Sequence, residues 1–203
     1  MPIAAEQDPL IRTLKRVAYH LKQMGVPFAL AGSFAVYARG GGPVDHDVDF
    51  LIKEEDVDKV LTGLIEVGFR AEVPPEGWLV KVYEEDRLVD LIFAPVQRPV
   101  TDRTLAETDI LPVNACHMPV LGATDLMIHK LLSMGVQHCD FTKALPVARS
   151  LREQIDWARV ERETAHSAYA QAFMVLLDRL NVISLAELSS ATVRRAKLKE
   201  VSG

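Results

Sequence analysis

The stretch Leu30-Ala-Gly-Ser-Phe-Ala-Val-Tyr-Ala-Arg39, followed after three glycines by Asp45-His-Asp-Val-Asp-Phe-Leu-Ile52, decides the fold of this 203-residue chain. Pro27 to Ala31 reads as a short buried strand, Gly32-Ser33 as the turn that ends it, and Phe34 to Arg39 as a helix. Gly40-Gly41-Gly42-Pro43 is a loop, because that composition supports neither helix nor ladder. Asp47 to Ile52 alternates polar and apolar residues, the pattern of a half-buried strand. Residues i and i+2 of a strand share a face, so the Asp47 and Asp49 carboxylates project together while Val48 and Phe50 turn to the core. Paired carboxylates suit one or two Mg²⁺ ions, hard cations that take oxygen ligands and accept phosphate beside them. The start of the helix adds a second half to the site. Helix N-termini present backbone N–H groups and partial positive charge to phosphate. Gly32 would let a phosphate approach the backbone closely, and the Ser33 hydroxyl can donate one more hydrogen bond.

On the N-terminal side, Asp8-Pro9 opens a helix with Asp as cap and Pro at its first position. Leu10, Leu14, Val17, Ala18 and Leu21 recur at helical spacing, and Gly25 stops the run. On the C-terminal side, Lys53 to Val67 is an amphipathic helix and Phe69 to Val73 a strand. Trp78 to Tyr83 and Leu88 to Phe93 form a hairpin around the charged turn Glu84 to Arg87. Its second strand carries Asp90 in an apolar run, where an ionised carboxylate is costly unless it is paired or bound to metal. Pro95 to Leu111 reads as loop, and residues 115–121 as a last strand. Helical periodicity then governs 124–134, 141–153, 156–166 and 167–180, with one more helix over Leu185 to Lys199. The expected class is α+β: a mixed sheet with flanking helices over residues 1–122, followed by a helical subdomain over 123–203.

Composition narrows the function classes. Hydrophobic residues make up 49% and charged residues 25%, values of a globular domain and not of a disordered chain. No run of about 18 apolar residues exists to span a bilayer, and the first residues show no secretory signal. Cys116 and Cys139 lack metal or redox spacing, and the six histidines lack zinc spacing, so a reduced, cytoplasmic protein is expected. The net charge of −5 argues against a broad nucleic-acid-coating surface. Residues 141–203 nevertheless hold 10 Lys+Arg against 7 Asp+Glu. Lys143, Arg149, Arg152, Arg159 and Arg162, with the tail Arg194, Arg195, Lys197 and Lys199, are the candidates for meeting an RNA backbone.

Taken singly, Gly-Ser before a helix is a turn, Asp-x-Asp a surface pair, and Asp90 the partner of a buried Arg. Their order is more specific. Strand, Gly-Ser, helix, strand with Asp-x-Asp and a later strand with one Asp resembles the signature of the polymerase-β-like nucleotidyltransferase superfamily. Ile128-His-Lys-Leu-Leu-Ser-Met134, His138-Cys-Asp-Phe141 and Ala148-Arg-Ser-Leu151 are similar to later motifs of the AbiEii/AbiGii nucleotidyltransferase toxins, which include the mycobacterial MenT group. In that comparison Lys130 and Asp140 take the places of the helical Lys and the Asp opening the next helix, and Arg39 closes the first motif. The sequence departs from the pattern at Asp45, where Ser or Thr is usual, and at His138-Cys139, where a basic residue precedes the Asp.

The resemblance implies a Mg²⁺-dependent enzyme that transfers nucleotides from an NTP to the 3′ acceptor end of tRNA. Such a toxin blocks translation, and a cognate antitoxin restrains it. It implies a metal set of Asp47, Asp49 and Asp90, a nucleotide set of Gly32, Ser33, Arg39 and Lys130, and Asp90 or Asp140 as the base. Two alternatives stand beside this: the same chemistry on a small-molecule antibiotic or protein side chain, and a non-catalytic nucleotide-binding module.

Overall fold

In the computed structural model, which describes residues 8–42 and 47–188, the apolar spacing of the N-terminal segment becomes helix α1, Asp8–Gln23. Leu10, Ile11, Leu14, Val17, Ala18 and Leu21 form its buried stripe. Gly25, at φ 65°, turns the chain out of it. Then come β1 (Ala29–Leu30), α2 (Gly32–Ala38), β2 (Asp47–Leu51), α3 (Val57–Glu66), β3 (Arg70–Glu72), β4 (Leu79–Glu84) and β5 (Arg87–Ile92). After them lie α4 (Asp102–Ala106), β6 (Thr108–Val113) and β7 (Cys116–Leu121).

The strands make one seven-stranded sheet in the order β3-β4-β5-β2-β1-β7-β6. It is mixed: β2 runs parallel to β5 and β1 parallel to β7, while the remaining neighbours are antiparallel. Helix α1 lies against β2 and β5, α3 against β3 and β4, and α2 against β2, β6 and β7. Val48, Phe50, Val82, Val89 and Leu91 are all buried on one face. The residues that alternate with them form two rows on the other face, set by register. One row is Asp49, Asp90, Lys81 and Glu72; the next is Asp47, Leu88, Tyr83 and Arg70.

Glu84 anchors the hairpin of β4 and β5 to α1. It accepts hydrogen bonds from Thr13 and Arg16 of α1 and pairs with Arg87 at 3.3 Å. Burial pushes the Glu84 carboxyl up, but these three partners together hold it below the usual carboxylate range. The strand bearing Asp90 is thus tied at its entry to α1.

Chain segments depart from the sequence expectation in two places. Strand β1 keeps only Ala29–Leu30, and the following helix begins at Gly32 instead of Phe34. Pro95 to Leu111 is not simply loop: α4 forms behind a capping box of Thr101 and Thr104, and β6 pairs along the whole of β7. Strand β6 lies at the sheet edge, which tolerates Pro112 and needs only a partial apolar face, so its sequence lacks clean alternation. The helix expected over Leu185 to Lys199 is helical at 185–188, and the rest of that span lies outside the described residues.

The chain divides into two units, Met1–Gly122, which holds the sheet, and Ala123–Gly203. The second contains α5 (Ala123–Leu132), α6 (Phe141–Ser150), α7 (Trp157–Thr164) and α8 (Ala168–Arg179). Leu131, Ala144, Ala148, Val160, Phe173 and Leu177 form its core, with the Phe141 and Phe173 rings 5.2 Å apart. Arg159 joins α7 to α5 through Asp125 at 2.6 Å and also binds Glu163 at 2.7 Å. Arg159, one of the cations expected to face RNA, is thus ion-paired within the helical unit. Arg152 is paired to Glu153, and the tail cations lie outside the described residues.

Candidate active site

Two strands carry three carboxylates to one place. Alternation along β2 sets Asp47 and Asp49 on the same face, and the parallel pairing of β2 with β5 puts Asp90 directly beside Asp49. Each carboxylate offers an oxygen within 4.8 Å of the other two. The Asp90 residue is 9% exposed, and its Oδ1 is buried without a hydrogen-bond partner. The nearest cation, Lys81 Nζ across the hairpin, stands 3.8 Å from that oxygen, an ion-pair separation too long for a hydrogen bond. Burial raises the Asp90 carboxyl above the ordinary range; Lys81 opposes the rise and Asp47 adds to it.

Such a cluster fits a divalent cation. A buried carboxylate oxygen left unsatisfied is costly unless a ligand completes it. Three hard oxygen donors on one sheet face form a donor set suited to Mg²⁺.

The turn before α2 abuts the carboxylates. Gly32 adopts φ +57°, and a Cβ built on it would lie 1.7 Å from Asp49 Oδ2. Ala31 N–H donates to the Asp49 carbonyl at 2.9 Å, which clamps the turn to β2. Glycine is therefore required here by the neighbouring carboxylate as well as by the backbone, a reason beyond the phosphate approach expected from sequence. Ser33 follows it, half-buried, at the first turn of α2.

Arg39 sits at the other end of α2, in a different setting from the one its motif suggested. Its Nε donates to the Leu121 carbonyl at 2.7 Å, and its Nη2 to the Val120 carbonyl at 3.1 Å and to Asp109 at 2.7 Å. Its side chain, 7% exposed, ties α2 to β6 and β7. Lys130 and Asp140 belong to the helical unit: Lys130 is half-buried on α5, and Asp140 caps α6. The Thr142 hydroxyl and backbone N–H donate to the Asp140 carboxylate and hold it below the usual range. The structure thus gathers Asp47, Asp49, Asp90 and Gly32. Asp45 and His46 lie outside the described residues.

Lys81, Tyr83 and Arg70 were not singled out from sequence. The signal existed: with Glu84 paired to Arg87 around a two-residue turn, antiparallel counting places Lys81 opposite Asp90 and Tyr83 opposite Leu88.

A mixed sheet with an acidic triad on two neighbouring strands and a glycine turn against it defines the nucleotidyltransferase class of enzyme. Residues 4–182 match the family described as uncharacterised nucleotidyltransferase, and the chain belongs to that family. A comparison with curated proteins found no match. Among solved structures, the chain is similar to ANT(2")-Ia in complex with adenylyl-2"-tobramycin at 14% identity and a TM-score of 0.56, covering 81% of this chain and 97% of that one. It is similar to an antigenic nucleotidyltransferase-like protein from Paracoccidioides brasiliensis at 19% identity and a TM-score of 0.55, covering 94% of each chain. A candidate nucleotidyltransferase from H. pylori aligns at 13% identity and a TM-score of 0.51, covering 98% and 99% of the two chains. These likenesses concern the fold. Among the described residues, no helix is long and apolar enough to cross a membrane.

Proposed function

We propose that this nucleotidyltransferase uses Asp47, Asp49 and Asp90 to hold divalent metal, Mg²⁺ by donor type, and moves a nucleotidyl group from an NTP to the 3′ end of tRNA. The observation that carries the reaction is the convergence of three carboxylates, one with a buried unsatisfied oxygen. When bound, the metal neutralises triphosphate charge and aligns attacking and leaving oxygens. The chain's own residues do the rest. The Gly32-Ser33 turn receives the phosphates beside Asp49. Asp90 takes the proton of the acceptor hydroxyl as its oxygen bonds the α-phosphorus; the α–β anhydride bond breaks and pyrophosphate leaves. Of the two candidate bases, Asp90 is favoured, because it stands beside Asp49 in the carboxylate cluster while the Asp140 carboxylate is engaged in capping α6. Lys130 is assigned to triphosphate charge. Arg39 supports α2 through the contacts that its guanidinium already makes.

The tRNA acceptor rests on the resemblance of residues 128–151 to the AbiEii/AbiGii toxins, and with it come cytoplasmic action, arrest of translation and a cognate antitoxin. A second reading, a small-molecule acceptor, draws on the net charge of −5, since such a substrate needs no broad basic surface. Incubation with α-labelled NTPs, Mg²⁺ and total RNA tests the first reading. Label in the tRNA band, lost with Asp47→Ala and Asp49→Ala, is the expected result. An RNA pool that stays unlabelled while an antibiotic panel takes label would establish the second.

A further inference from the structure

The carboxylate face continues past Asp90 over two further strands. From Asp49 the register runs to Asp90, Lys81 and Glu72; from Asp47 it runs to Leu88, Tyr83 and Arg70. Strand spacing of about 4.8 Å sets Tyr83 about 10 Å from Asp47 and Arg70 about 14 Å from it. The Arg70 guanidinium lies over the Tyr83 ring, its carbon 4.1 Å from the ring centroid. The side chain of Arg70 is 64% exposed and that of Lys81 28%. The face beside the triad is therefore a planar cation stacked on a ring, with a second cation between it and Asp90.

Sheet order fixes on which side of the triad this surface lies. The Gly32-Ser33 turn follows β1, on one side of β2, whereas β5, β4 and β3 lie on the other. In-line displacement needs the attacking oxygen and the departing pyrophosphate on opposite sides of the α-phosphorus. Phosphates at Gly32 therefore bring the acceptor in over β5 and β4. Resting on the nucleotidyl transfer assigned above, we propose that Arg70, Tyr83 and Lys81 form the acceptor subsite and that it takes the single-stranded 3′ end of an RNA. Stacked rings and guanidinium planes bind unpaired bases, and ammonium and guanidinium groups meet phosphates. Beyond the triad these two rows offer two cations and one carboxylate, Glu72, a poor match for a polycationic antibiotic.

The test is fluorescence anisotropy of a short fluorescein-labelled single-stranded RNA with a free 3′ hydroxyl, titrated with the full chain in Mg²⁺. Tyr83→Ala is expected to weaken binding about tenfold and Tyr83→Phe less than about twofold, because the ring and not the hydroxyl supplies the stack. Arg70→Glu is expected to weaken it about tenfold and to lower the slope of log affinity against log salt by about 0.7 for each phosphate that no longer meets a cation. Arg103→Ala removes the same type of charge from α4 and should shift binding less than about twofold. Thermal melts of each variant separate lost binding from lost folding. No RNA binding by the wild type, or wild-type affinity in Tyr83→Ala and Arg70→Glu, overturns the subsite. Mg²⁺-dependent ATP binding by the wild type is measured in parallel. Its absence would instead remove nucleotidyl transfer itself, so the two failures are distinguishable.

Discussion

Replacing Gly32 by alanine tests whether the turn and the carboxylates are one structural unit. The backbone there has φ +57°, where an alanine costs about 1–2 kcal/mol relative to its preferred conformations. The added Cβ would stand 1.7 Å from Asp49 Oδ2 and 2.7 Å from its Cγ, so the carboxylate must move. Relieving such overpacking costs about 1–3 kcal/mol. Gly32→Ala should therefore destabilise the chain by about 2–5 kcal/mol, at roughly 2–4 °C in melting temperature per kcal/mol for a chain of this size. It should also abolish Mg²⁺-dependent ATP binding, because Asp49 is pushed from its place. The decisive assay is a double-mutant cycle with Asp49→Ala, read by thermal unfolding without metal. With the carboxylate gone, only the strained φ and a 3.1 Å contact to the Asp49 Cβ remain, so the same Gly32→Ala step should cost about 1–2 kcal/mol. A coupling of about 1 kcal/mol or more follows. If the two steps add within about 0.5 kcal/mol, the steric argument fails.

Asp47→Ala and Asp49→Ala should each abolish nucleotide transfer and, in metal-free buffer, raise the melting temperature slightly, since crowded carboxylates repel; retained activity in either would refute the metal assignment. Asp90 binds its proton more tightly in the folded chain than in the unfolded one, so the stability it contributes is fully present below the ordinary aspartate value of about 3.9 and is lost as pH rises through the raised folded value. Metal-free Asp90→Asn should accordingly melt higher than wild type at neutral pH, with the gap closing in acid; a gap that widens in acid would contradict the burial argument. Arg39→Ala removes the charged hydrogen bonds to the Leu121 and Val120 carbonyls and should cost about 2–4 kcal/mol by urea unfolding. An unchanged urea midpoint with a raised KM for NTP would instead return Arg39 to the nucleotide site.

Local pattern determined much of this protein on its own. Period-two alternation suffices to place Asp47 and Asp49 on one face and Val48 and Phe50 on the other, because side-chain direction in a strand depends only on parity. The hairpin of β4 and β5 and the helices from α5 to α8 were legible for the same reason, as their periodicity and turn residues lie within a short window. The nucleotidyltransferase class was legible too, in the order of strand, Gly-Ser, helix and Asp-x-Asp. Tertiary structure alone decided the rest. The pairing of β2 with β5, which brings Asp90 beside Asp49, joins strands separated by α3, β3 and β4, and no local propensity specifies such a register. Strand β6 exists because β7 offers it a partner along its full length. For Arg39 the motif suggested a nucleotide ligand, and long-range packing supplies what no local pattern shows, its hydrogen bonds to the carbonyls of β7. Gly32 shows the two levels meeting: the sequence marks a turn, but only the fold puts a carboxylate where its side chain would be.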